Sequence, residues 1–232
     1  LNLLKLFQPD YLKVASRDLT NLPLLEALAE TKIPIIISTG MADKSDLDNG
    51  LNAINKYHSN ITILHCLSQY PSDYKELNLK SITYLKNNYP NYTIGYSDHS
   101  IGIVTPVAAV AMGAEVIEKH ITIDRNMKGT DQEGSLASDG IRRMLRDIRN
   151  LELSFGEEGI FRSDAVVSAQ TKLERSIATN KTLPKGHIIK EEDLHMLSPG
   201  DGLKWHEKDQ IIGKATSSDI ATNEILYPKF VV

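Results

Sequence analysis

Apolar and polar positions along this chain fall into blocks that switch between two periods. Tyr11 to Ala15 is a short β-prone run, and Leu22 to Thr31 follows with apolar residues at 24, 25, 27, 28 and 29, a helical spacing. Pro34 to Ile37 is an unbroken apolar run, as a strand covered on both faces requires. Asp43 to Tyr57 puts Leu47, Leu51, Ala53 and Ile54 on one face behind the start signal Lys44-Ser45-Asp46. Ile61 to Cys66 predicts the next strand and Leu77 to Asn88 the next helix. Thr93 to Tyr96 and Ala114 to Ile117 are strands flanking a helix from Ile101 to Met112. In that helix Pro106 is tolerated in the first turn, and Gly113 marks the stop. A long helix, Ser138 to Leu153, completes five strand-helix units. Alternation of this regularity predicts an α/β fold with a parallel sheet or barrel.

The pattern then changes in kind. From Leu153 to about Gln170 it breaks into Gly156, Gly159 and mixed charges. Short β-prone pieces follow at Arg175 to Ala178, Ile188-Ile189, Leu194 to Leu197, Ile211-Ile212 and Ile225-Leu226, separated by turn signals at Pro184-Lys185-Gly186, Pro199 to Gly202 and Asp219. The expected organisation is a barrel-like domain over 1–155, a linker over 156–172 and a small, mainly β module over 173–232.

Composition removes several classes of partner. With a formal charge of −4 and a sequence pI near 6.0, no field draws the chain to nucleic acid or to an anionic membrane. Apolar residues make up 41% of the chain, but no apolar run is long enough for a membrane span. The single cysteine, Cys66, lies in an apolar run and cannot form an internal disulfide, so a buried, reduced thiol and a cytoplasmic location are expected. The sequons at Asn60, Asn91 and Asn180 are then chance matches.

Candidate chemistry concentrates at two consecutive strand ends. His99 closes Ile-Gly-Tyr-Ser-Asp-His (94–99) and His120 closes Val-Ile-Glu-Lys-His (116–120). If the flanking runs are parallel strands, both imidazoles leave at the carboxyl ends, where α/β barrels keep their chemistry. Each has a carboxylate close by, Asp98 and Glu118. This predicts one shared metal site.

Five blocks carry a family resemblance: Lys-Val-Ala-Ser-Arg-Asp-Leu-Thr-Asn (13–21), Ile-Ser-Thr-Gly-Met-Ala (37–42), Leu-His-Cys-Leu-Ser-Gln-Tyr-Pro (64–71), Gly-Tyr-Ser-Asp-His-Ser (95–100) and Glu-Lys-His-Ile-Thr-Ile-Asp-Arg (118–125). With the continuation Gly-Thr-Asp-Gln-Glu-Gly-Ser-Leu (129–136), they resemble the sialic acid synthase family, and the terminal module resembles its antifreeze-like (SAF) domain. The resemblance implies a (β/α)8 TIM barrel joined to that domain. It also implies condensation of phosphoenolpyruvate with an N-acetylated amino sugar, such as N-acetylmannosamine or a related hexosamine, to give a nonulosonic acid and phosphate. A domain-swapped homodimer is implied too. By this alignment the five units are barrel strands four to eight, so the first three are expected to lie outside this sequence and the 232-residue piece to be inactive alone.

The resemblance also assigns roles. Lys13, Ser16, Ser38 and Ser97 match the cradle for the anionic phosphoenolpyruvate, which needs cations and small donors. His99 and His120 match metal ligands for a divalent ion, Mn2+ foremost with Mg2+ or Co2+ as alternatives, acting as a Lewis acid on the sugar aldehyde. Asp18 matches the carboxyl group that moves protons as water attacks, although Asp18-Leu-Thr-Asn also resembles a helix N-cap. Asp131 and Tyr70 match sugar-contacting groups, and Glu118 a group that touches the sugar or orients a metal ligand. His65 is read as structural.

The chain departs from the pattern at Arg17, Thr130 and Gln132. It departs most in the terminal module, where Ser198 stands in place of the family's N-acetyl-binding arginine. Ser198 cannot supply that cation, so either another residue, with Lys204 one candidate, makes the contact or the sugar differs from N-acetylmannosamine. Two other functions compete. One is a carbohydrate-binding module on a non-catalytic barrel remnant. The other is a Schiff-base aldolase using Lys13 or Lys119.

Overall fold

The computed structural model describes residue 4 and residues 6–232. Five parallel strands, β1 (Leu12–Val14), β2 (Ile35–Ser38), β3 (Ile61–Cys66), β4 (Thr93–Asp98) and β5 (Val116–Lys119), pair in sequence order. Between them run α1 (Leu22–Ala29), α2 (Lys44–Asn55), α3 (Lys80–Asn88) and α4 (Val104–Ala111), and α5 (Ser138–Ser154) follows β5. The expected units are all present. Two helices start later than their apolar pattern suggests, because the backbone interrupts them: Asn78 adopts φ of 46° just before α3, and Gly102 adopts φ of 90° before α4.

Alternation along the strands sorts residues into two faces. Val14, Ile35, Ile37, Ile61, Ile63, Ile94 and Tyr96 point to the helices and form the buried core with Leu25, Leu51, Ile54, Ile82 and Ala109. The intervening residues line the opposite, inner face. There Ser38, Leu64, Gly95 and Val116 lie in one register row, and Cys66, Ser97 and Glu118 in the next. This sheet is strongly curled. Four strand spacings would put β1 and β5 about 19 Å apart if the sheet were flat. Instead Lys13 Nζ on β1 lies 3.5 Å from Glu118 Oε2 on β5, so the strands form a half-barrel. Gly95 is needed where the arc is tightest, since a Cβ there would meet the Val116 carbonyl oxygen at 2.4 Å and Leu64 Cδ2 at 2.5 Å.

A second compact unit covers Glu157–Val232. It begins earlier than the expected domain start at 173. The segment read as a linker carries α6 (Val167–Leu173), whose Thr171 and Leu173 carbonyls accept from the Gly200 N–H (2.8 Å) and the Ser198 hydroxyl (3.1 Å). No residue of α6 is buried, which is why no apolar pattern announced it. Strands β6 (Ser176–Thr179) and β7 (Leu194–Leu197) pair antiparallel. Of the other expected β pieces, Ile188 and Ile225 make single bridges, to Ala215 and Ala178, while Ile211 follows a 3-10 helix at Trp205–Gln210. The core is small: Ile177, Leu183, Ile189, Leu194, Ile211, Ile220 and Leu226 are its main members. Beside it Asp193, fully buried, takes Lys181 Nζ at 2.6 Å, His187 Nε2 at 2.7 Å and the Lys190 N–H at 3.0 Å. Burial pushes its carboxyl group up, but those three donors overcome burial and hold it at about 2.

Two outcomes follow from this packing. Gly95→Ala should destabilise the half-barrel by about 1–3 kcal/mol or more, read from urea unfolding, because a strand carbonyl must move. Asp193 contributes stability that is complete above its ordinary value near 3.8 and is lost as pH falls through about 2. Hydrogen exchange at Ile177 and Leu194 should therefore accelerate between pH about 4 and 2, and Asp193→Asn should flatten that dependence.

Candidate active site

Every candidate residue of the first unit lies near the carboxyl end of a strand or on the chain just beyond it, Lys13, Ser97 and Glu118 being the next-to-last residues of β1, β4 and β5. The parallel ladder brings Asp98 opposite Lys119, so the next residues, His99 and His120, leave β4 and β5 side by side on the inner face. Their ring centroids are 5.2 Å apart and nearly perpendicular. Tyr70 packs on both, with centroids 4.1 Å from His99 and 5.7 Å from His120. Asp131 Oδ2 lies 3.7 Å from His120 Nδ1. These four side chains, with Asp98, Thr130 and Glu133, line one pocket.

The donor set suits a cation. His99 Nδ1 is 2.8 Å from the Leu67 carbonyl, which can only accept, so that nitrogen carries the proton and Nε2 keeps its lone pair. Two imidazoles sharing an ion at about 2.1 Å take up a centroid spacing near the one observed. Among the described residues no group of three or more His, Cys, Asp or Glu side chains is arranged as a metal cage. Such an ion would keep open positions. Burial and the neighbouring Cys66, Asp131 and Glu118 all raise the Tyr70 phenol above its ordinary value, so it stays neutral.

The cradle residues converge around Glu118. Its Oε1 accepts from the Ser97 hydroxyl at 2.7 Å, and its Oε2 faces Lys13, whose ammonium also donates to the Val14 carbonyl at 3.0 Å. Glu118 thus bonds Ser97 and faces Lys13 while lying near enough to Tyr70 to raise its phenol. Ser16 Oγ accepts from the Gly40 N–H at 3.0 Å. Ser38 is 2% exposed, and its hydroxyl has no partner. Ser38 lies on the same inner face as Lys13, two residues beyond Lys13's register partner Ile36, and an unsatisfied buried hydroxyl calls for a polar partner. Gly40 is needed where these side chains close in, since a Cβ there would come within 2.9 Å of Ser68 Oγ, Cys66 Sγ and Ser16 Oγ.

The N-cap reading of Asp18 does not hold. Asn21 caps α1, its side chain accepting from the Leu24 N–H at 3.3 Å, while Asp18 ends a 3-10 turn over Ser16–Asp18 with its carboxylate 3.6 Å from Arg17 Nε. It lies outside the lining of the His99 pocket. His65 is structural: it is buried, Nε2 donates to the Leu77 carbonyl at 2.7 Å, and burial lowers its pKa. Cys66 is buried and unpaired, its sulfur 3.8 Å from His99 Nδ1.

One candidate lysine is buried and a second is paired. Lys119, a candidate Schiff-base nucleophile, has a side chain only 3% exposed and bonded to Asp98 Oδ2 at 2.6 Å, so its ammonium is neither free nor accessible. Lys204, a candidate replacement for the missing arginine, gives its ammonium to Glu174 at 2.6 Å and to the Gly200 carbonyl. The Asp98–Lys119 pair escaped the sequence reading. Its signal was an acid and a base each one residue before a histidine on neighbouring parallel strands.

Comparison with known proteins decides the family. The sequence matches the NeuB family over residues 1–159 and the SAF domain over residues 174–232. The chain belongs to the NeuB family. It is 36% identical over 220 residues to an N,N'-diacetyllegionaminic acid synthase of Legionella pneumophila, covering 93% of this chain and 62% of the relative. A pseudaminic acid synthase of Campylobacter jejuni is 34% identical over 225 residues, covering 96% and 65%. The NeuB chain thus spans just under two thirds of the length of these curated relatives. The N-acetylneuraminic acid (sialic acid) synthetase of Leptospira borgpetersenii, crystallised with citrate, superposes with a TM-score of 0.66 at 36% identity, over 72% of this chain and 59% of that one. In keeping with these biosynthetic relatives, none of the described helices is long and apolar enough to cross a membrane.

The capping geometry gives a direct test of Asp18. Asn21→Ala should cost about 1 kcal/mol in urea unfolding through loss of the α1 cap, whereas Asp18→Ala should leave stability within about 0.5 kcal/mol.

Proposed function

We propose that this NeuB chain carries most of the active site of a nonulosonic acid synthase that condenses phosphoenolpyruvate with an N-acetylated amino sugar and releases phosphate. The observation that carries the reading is the meeting, at one end of the half-barrel, of a paired-imidazole pocket and a cradle with an unpartnered buried hydroxyl at Ser38. The first suits a carbonyl that must be polarised. The second suits an enolic phosphate.

In this reading Lys13, Ser16, Ser38 and Ser97 hold the phosphate and carboxylate oxygens of phosphoenolpyruvate. Glu118, which engages Lys13 and Ser97 when no anion is present, turns to the incoming sugar as the anion takes its partners. Tyr70 and Asp131 hold sugar hydroxyls beside His120. His99 and His120 would hold a divalent cation, Mn2+ by the mixed nitrogen and oxygen surroundings, with Mg2+ or Co2+ as alternatives, and when bound it supplies a Lewis acid for the aldehyde. Asp18 takes a proton from the water that attacks C2, a role its freedom from capping leaves open. The sugar is N-acetylmannosamine or a related hexosamine. Ser198 lacks the cation expected there and Lys204 pairs with Glu174, which favours a related sugar over N-acetylmannosamine itself. The working assembly is a cytoplasmic, domain-swapped homodimer with closed barrels, and the 232-residue piece alone, with β1 and β5 as open edges, does not turn over.

The test is phosphate release from phosphoenolpyruvate with Mn2+ and a panel of N-acetylhexosamines, in a chain whose barrel is closed by fusing a relative's first three strands ahead of β1. Turnover that needs both Mn2+ and His120, and falls at least about 100-fold in Asp18→Asn, is the expected result. Equal turnover in His120→Ala would remove the reading.

A further inference from the structure

Behind the two histidines, on the helix side of the sheet, lies a closed polar network that no part of the chemistry above uses. Asp98 is fully buried. Its Oδ1 accepts from the Tyr96 hydroxyl and from the Ser100 N–H, both at 2.9 Å, and its Oδ2 accepts from Lys119 Nζ at 2.6 Å and the Thr105 hydroxyl at 3.1 Å. Ser100 Oγ and Thr105 Oγ1 are 2.7 Å apart, tying the network to the first turn of α4. Lys119 Nζ donates in addition to the Ser100 carbonyl. One ammonium therefore bonds both chain neighbours of His99, and it belongs to the chain neighbour of His120.

We infer that Lys119 is a positioning residue for the imidazole pair: by pinning Asp98 and Ser100 from the end of β5, it fixes the separation and tilt of the His99 and His120 rings. The backbone ladder alone does not do this, since its last pair is Asp98 with Lys119 and both histidines lie one residue beyond it. Beyond it the His99 and His120 carbonyls accept from the Ser72 and Leu136 N–H groups, at 3.0 and 2.9 Å, but neither bond joins β4 to β5. The ammonium replaces the missing ladder bonds with side-chain bonds across the same gap. Its bond to the Ser100 carbonyl fixes the chain on the far side of His99, and the Leu67 carbonyl fixes the ring itself.

Charge and position make opposite predictions here. Lys119 is a cation one residue from a proposed cation ligand, so if it acted only through its charge, removing it would tighten metal binding. If it acts by position, removal weakens binding although a repelling charge is gone. This inference rests on the metal reading given above, and the experiment separates the two. Mn2+ alone is titrated calorimetrically into the whole chain as wild type, Lys119→Met and the double variant Asp98→Asn with Lys119→Met, which leaves no uncompensated buried charge and guards against simple misfolding. The ring-to-ring nuclear Overhauser effect between His99 and His120 is recorded on the metal-free proteins.

Positioning predicts a dissociation constant weakened roughly 10- to 100-fold in both variants, with the ring-to-ring signal lost. Unchanged or tightened binding in the folded double variant overturns it, as does an intact ring-to-ring signal. If wild type takes up no Mn2+, the metal reading fails. The metal-free ring contact then still decides whether Lys119 holds the two rings.

Discussion

The in-register parallel ladder between β4 and β5 is the constraint from which the rest of the site descends. Because side chains alternate, pairing Ser97 with Glu118 sends both to the inner face, and the next pair, Asp98 and Lys119, to the helix side. The pair after that, His99 and His120, returns to the inner face beyond the last ladder bond. A slip of one residue would bury the imidazoles among helices and open a salt bridge onto the substrate side. The ion pair is itself a safeguard against such a slip. In the observed register neither buried charge is left alone.

Much of the half-barrel was legible because its strands set Val14, Ile35, Ile37, Ile61, Ile63 and Ile94 against the helices, and because its helices keep a 3.6-residue apolar stripe. Ile61–Cys66 and Leu194–Leu197 are found where expected, and the two histidines leave adjacent strands as the pattern implied. What was not legible has common physical causes. Backbone excursions at Asn78 and Gly102 shorten helices whose apolar pattern runs through them. The helix Val167–Leu173 buries no side chain, so it had no stripe to read. In the second unit, pieces such as Ile211-Ile212 are apolar because they fill a small core, not because they extend a ladder.

The site residues divide in the same way. Positions fixed by strand alternation, Lys13, Ser38, Ser97 and Glu118, fall on one face as motif and period both require. Roles that depend on loops were open until the loops were seen. Asp18 and Asn21 are equally plausible caps by residue type, and only the bond from Leu24 chooses between them. Lys204 looked available because charge is visible in sequence and its partner, thirty residues away at Glu174, is not.

The contact between Lys13 and Glu118 joins the first strand of the arc to the last. It acts as a bowstring. Removing either charge takes away a side-chain contact that spans the whole arc, from its first strand to its last.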